Sequence, residues 1–103
     1  MGASEFVSTA RGNTAQDAFG KAREEAQYES GHGGYSGTIA EKHTFKVLGS
    51  AATLKEAHEM AGKLLEDCDP RIDDKWGPAG CITVPPPQKG ALAIFVFFGW
   101  ASS

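Results

Sequence analysis

Ala91-Leu92-Ala93-Ile94-Phe95-Val96-Phe97-Phe98 is the stretch on which the fold turns. It is apolar throughout and rich in β-branched and aromatic residues, the composition of a strand. Its 8 residues are far too few to span a bilayer, which takes about 20. The near-continuous run predicts an interior strand with neighbours on both sides rather than a half-wet edge. Just upstream, Cys81-Ile82-Thr83-Val84 reads as a second strand. Pro85, Pro86 and Pro87 close it, because proline has no N–H to extend a ladder. The chain then turns near Gly90, and the last strand returns antiparallel beside its predecessor. Gly99 and Trp100 are expected to close the core.

Further upstream, Thr53-Leu54-Lys55-Glu56 has the form of a helix-start capping box. Leu54, Ala57, His58, Ala61, Leu64, Leu65 and Cys68 follow at helical spacing, with Glu56, Glu59, Lys63 and Glu66 on the other face. Asp69-Pro70 stops this helix. An earlier helix opens at Thr14, with Asn13 as the competing cap and Asp17 favoured in its first turn. Its inward stripe of Ala15, Ala18, Phe19, Ala22 and Ala26 is mostly small, so it should lie close against what it covers. Ser4 to Ala10 reads as a first strand, and Thr38 to Ala40 and Thr44 to Leu48 as extended segments. The order is β-α-β-α-β-β over one small domain, residues 1–103. Two helices with one apolar face each need a sheet to cover. The expected fold is therefore α+β: a two-layer sandwich with both helices on one face of a mostly antiparallel sheet.

Composition bounds the function. Of 103 residues, 41% are hydrophobic and 22% charged, which is ordinary for a globular chain. The net charge of −3 supplies neither the basic face of a duplex binder nor the massed carboxylates of a nucleic-acid mimic. No basic stretch followed by an apolar run opens the sequence, and only two cysteines occur, Cys68 and Cys81. A cytoplasmic protein with reduced thiols is expected, although a Cys68–Cys81 bridge stays open on spacing alone.

The chemical motifs mostly fail on context. Gly31 to Gly37 is glycine-rich, but it follows a helix and precedes a strand, the reverse of a phosphate cradle. Gly34-Tyr35-Ser36-Gly37 lacks the spacing of a nucleophile elbow. Glu29, His32, Glu41 and His43 offer zinc-type ligands without an established ligand spacing, and His32 and His43 are the first metal candidates. His58 falls at the edge of an apolar stripe, where packing explains it. Counting an EF-hand from Asp67 puts Arg71, Ile72 and Pro78 where an oxygen ligand, glycine and glutamate are required. Arg71 is instead expected to pair with a neighbouring Asp. No nucleophile, base and orienter group together, so no catalytic residue and no cofactor is expected. Tyr28, Tyr35 and Trp76 stand out as partner-binding candidates, since Tyr and Trp dominate interface hot spots. For Trp76 the competing role is a lid folded over the sheet end.

Three stretches together carry a resemblance. Asp69-Pro70-Arg71-Ile72-Asp73-Asp74-Lys75-Trp76-Gly77-Pro78-Ala79-Gly80-Cys81, the ending Phe97 to Ser103, and Tyr28 to Ala40 resemble small accessory proteins of bacteriophages and prophages of high-GC bacteria. That resemblance implies binding to a host or phage protein in the host cytoplasm, including inhibition of a defence protein in the manner of anti-CRISPR proteins. It brings no catalytic residue and no cofactor. The expected function is thus protein binding, with no membrane association. One alternative is a nucleic-acid-associated protein using Lys42, Lys46, Lys75 and Lys89, though nucleic acid is not the favoured partner. Another is a small metal-dependent enzyme built on His32 and His43. A homodimer is a separate expectation if the first strand, or the one after the glycine loop, forms an open sheet edge.

Overall fold

A computed structural model of the chain describes residues 3–30, 38–74, 76–86, 88 and 90–102. Among the described residues, two helices and four strands follow in the expected order: β1 (Ala3–Gly12), α1 (Ala15–Ser30), β2 (Phe45–Ser50), α2 (Leu54–Glu66), β3 (Ala79–Val84) and β4 (Ala93–Ser102). Thr38 to Ala40 differs from expectation. Ile39–Glu41 is a 3-10 turn, because the Thr38 hydroxyl accepts the Ala40 N–H (3.2 Å) and caps it.

The sheet order is β1-β4-β3-β2. β4 is interior, antiparallel to β1 on one side and to β3 on the other, as its apolar run predicts. β2 pairs parallel with β3, so the sheet is mixed rather than mostly antiparallel.

The helices lie on opposite faces, which corrects the expectation of two layers with both helices on one face. Phe95, Phe97 and Ala101 of β4 pack with Ala18, Phe19 and Ala22 of α1. Ile94, Val96 and Phe98, the alternate residues, pack with Ala57, Ala61 and Leu65 of α2. Successive strand side chains point to opposite sides. A strand apolar at every position therefore needs cover on both, and a second helix on the first face would have left Val96 and Phe98 wet. Topology gives the same answer. β1, β2 and β3 all run one way, so β1→β2 and β2→β3 are parallel crossovers that traverse the sheet in opposite senses. The single hand adopted by such crossovers sends their helices to opposite faces. The result is an α+β sandwich of three layers.

Local signals act as read. The Asp17 N–H donates to Thr14 Oγ1 at the start of α1 (3.2 Å). At α2 the Glu56 N–H donates to Thr53 Oγ1 (3.2 Å), while the Glu56 carboxylate reaches back one residue further than a capping box does, to the Ala52 N–H (3.3 Å). Under α1, the rings of Phe19 and Phe97 (centroids 5.4 Å apart) and Phe45 (4.9 Å from Phe19) pack together. On the α2 face, Gly80 lies across from Phe98 in the ladder, and its missing Cβ is the space the Phe98 ring fills.

Candidate functional site

Because β1, β2 and β3 share a direction, both helices end where these strands begin. Tyr28, 89% exposed, sits in the last turns of α1 at that end. The connection from α2 to β3, residues 67–78, lies there too. It carries Trp76, which is 63% exposed and not a lid over the sheet.

This connection is built from its first residue. α2 ends in a Schellman motif: the Cys68 N–H donates to the Leu65 carbonyl and the Asp69 N–H to the Leu64 carbonyl (both 3.1 Å). The αL position, usually glycine, is Cys68, with φ 51°. Asp69 then grips Arg71. Its Oδ1 accepts the Arg71 backbone N–H and Nε, and its Oδ2 accepts an Nη, each at 2.9 Å. This is the Asp–Arg pairing expected from sequence. The guanidinium bond and the backbone bond hold the Asp69 carboxyl down at about 2. Ile72 is buried in the α2-side core and anchors the middle of the loop. Asp74 shapes the next turn: its Oδ1 accepts the Trp76 N–H and its carbonyl accepts the Gly77 N–H, both at 2.9 Å.

Lys42 fastens this turn from beneath. It is 1% exposed, and its Nζ donates to the Gly77 carbonyl (3.0 Å) and the Asp74 carbonyl (3.3 Å). Burial pushes the Lys42 ammonium below the ordinary lysine range, and the nearby Asp74 charge partly opposes this. Two residues on, the Thr44 carbonyl accepts the Ala79 N–H (3.0 Å) and starts the β2–β3 pairing. Asp74, Trp76 and Gly77 are thus held by the Asp74 side chain and carbonyl and by Lys42. Among the described residues from the end of α2 to Trp76, the exposed charges are mostly acidic: Glu66, Asp67, Asp73 and Asp74 against Arg71.

The other candidates fare differently. Tyr35 and His32, with the whole glycine-rich loop 31–37, lie outside the described residues, as do Lys75 and Lys89. His43 is exposed between the 3-10 turn and β2. Among the described residues no three His, Cys, Asp or Glu side chains gather to hold a metal. His58 exchanges a hydrogen bond with Thr9 of β1 (Nε2 to Oγ1, 3.2 Å), a structural tie. Lys42 is withdrawn from the set proposed for phosphates by its burial, which leaves Lys46 as the exposed described member. Both thiols are free. Cys68 is exposed, and burial pushes Cys81 up to about 12, which makes it a poor nucleophile. No described helix is long and apolar enough to cross a membrane.

Sequence reasoning named Lys42 only as a phosphate contact and missed its buried role. A lone lysine between a loop and a strand reads as a surface charge, and its carbonyl partners come 32 and 35 residues later, where no periodicity connects them. Comparison with protein-family models, curated proteins and solved structures finds no match.

Proposed function

We propose that the protein is a protein-binding module whose anchor is Trp76, presented on the 67–78 connection. The observation that carries this reading is the pairing of a 63% exposed indole with a backbone fixed by Asp74, Asp69–Arg71 and buried Lys42. An exposed Trp gives a large contact area, and a loop already ordered spends little entropy on binding. The acidic surroundings favour a partner with an apolar pocket and a basic rim. The likeness to phage accessory proteins directs the search toward a host or phage protein, including a defence protein that this surface occludes. No side-chain arrangement in the described residues favours catalysis over this reading.

The test is capture from host lysate by wild type and by Trp76→Ala, followed by titration of the enriched protein against each. A hot-spot tryptophan is worth about 2 kcal/mol or more, so the Kd should weaken by at least roughly thirtyfold. Equal affinity for wild type and Trp76→Ala, beside an equally folded variant, overturns the proposal.

A further inference from the structure

The two edges of the sheet are unlike. β2, one edge, has six residues, carries Lys46, and is interrupted by a register shift between Val47 and Gly49. Short length, lysine and bulges are the usual guards against pairing with another chain. β1, the other edge, has none of them. It runs ten residues, Ala3–Gly12, in unbroken register with β4, without proline, lysine or bulge. Its outer side pairs with no other described strand.

The side chains of β1 add a second observation. Phe6 and Ala10 face the α1-side core, so Glu5, Val7, Thr9 and Arg11 point to the other face. All four are exposed, Val7 at 43%. Among the described residues neither Glu5 nor Arg11 takes part in an ion pair, the Asp69–Arg71 pair being elsewhere. The two opposite charges lie equally far on either side of Ser8. A twofold axis through Ser8 therefore sets Glu5 of one copy against the partner's Arg11, and the converse. It also sets Val7 against the partner's Thr9, and no other antiparallel register joins the two charges.

We propose that β1 is a homodimerisation edge: two copies pair antiparallel about Ser8 and merge their sheets into one of eight strands. A contact of this kind is self-complementary, as a twofold interface must be. Main-chain bonds along the ladder supply affinity, while the two Glu5–Arg11 pairs and the Val7–Thr9 pairs fix the register. The surface is separate from the Trp76 loop.

Light scattering and sedimentation over a dilution series test it. Wild type should show twice the chain mass of 10.9 kDa. Glu5→Arg and Arg11→Glu each turn two attractive cross-strand pairs into repulsive ones and should weaken the dimer on the order of tenfold. The combined Glu5→Arg/Arg11→Glu exchange should restore the wild-type constant, which a mere folding defect cannot do. Trp76→Ala should leave dimerisation unchanged. A monomeric wild type, single variants that dimerise as tightly as wild type, a double exchange that fails to recover, or dissociation by Trp76→Ala each overturns the proposal.

Discussion

Replacing Lys42 by Met isolates the contribution of its ammonium while keeping the length and most of the bulk of the side chain. The ammonium donates to the Gly77 carbonyl at 3.0 Å and to the Asp74 carbonyl at 3.3 Å. Hydrogen bonds from a charged donor contribute roughly 1.5–3 kcal/mol each, and the longer one belongs at the low end, so the gross loss is about 3–5 kcal/mol. Against this, the variant no longer buries a charge, which returns part of a penalty of several kcal/mol. The net destabilisation should be about 2 kcal/mol, or roughly 8–16 °C in Tm for a chain of this size. Lys46→Met, on the exposed edge strand, is the control and should stay within about 0.5 kcal/mol of wild type. The sign of the pH dependence follows from the direction of the shift. Desolvation, opposed by the Asp74 charge, holds the folded-state pKa below 10.5. Between that lowered value and 10.5 the unfolded chain binds more protons, so wild-type stability relative to Lys42→Met should rise with pH across this window and be flat beneath it. Urea unfolding gives the stability, and native-state hydrogen exchange gives the location: the Gly77 and Ile72 amides should exchange faster in the variant. If Lys42→Met is as stable as Lys46→Met and protection in the 72–79 segment is unchanged, the lysine does not fasten the loop.

Three further outcomes follow from local geometry. A Cβ added at Gly80 would stand 2.6 Å from the Phe98 ring, which is fully buried, so Gly80→Ala should cost about 1–3 kcal/mol in a denaturant titration. Cys68 occupies the αL position at the end of α2 with φ 51°; Cys68→Gly should stabilise by about 1 kcal/mol and Cys68→Val should destabilise, as read from urea midpoints. Asp69 is held at about 2 by Arg71 against an ordinary 3.8, so its contribution is full above 3.8 and lost as pH falls through about 2. The stability difference between wild type and Asp69→Asn should shrink over that interval in acid unfolding curves.

Much of the fold was legible because its signals are local. Thr14 and Thr53 cap where capping residues should. The small stripe from Ala15 to Ala26 packs as a stripe, and the three prolines mark the end of β3. The expectation of two layers fails, although the decisive fact lies in Ala91 to Phe98 itself. Ile94 to Phe98 is apolar at odd and even positions alike, and that demands cover above and below as well as neighbours left and right. The parallel β2–β3 pairing was beyond reach of periodicity, since strand direction is set by where a connection returns and not by the strand's own pattern. The ends of α2 also departed from its pattern. Leu54 and His58 fit the helical stripe, yet both stay exposed, and His58 is tied to Thr9 of β1 by a hydrogen bond instead of being buried.

The site shows the opposite balance. Trp76 could be named from sequence, but its exposure could not, because a tryptophan between turn residues fits a lid and an anchor equally well. What separates the two roles is whether the backbone beneath the ring is held without help from the ring. Ile72, Asp74, the Asp69–Arg71 grip and Lys42 each fix part of the connection through groups other than the indole. A lid earns its position by burying itself, and its removal should loosen the loop. An anchor displayed by an independent frame can be removed with the frame intact. Lys42 and Trp76 therefore divide the two properties between them: one residue carries the order of the loop, the other its contact surface. Substituting Lys42 should soften the loop and weaken binding together, whereas substituting Trp76 should weaken binding alone.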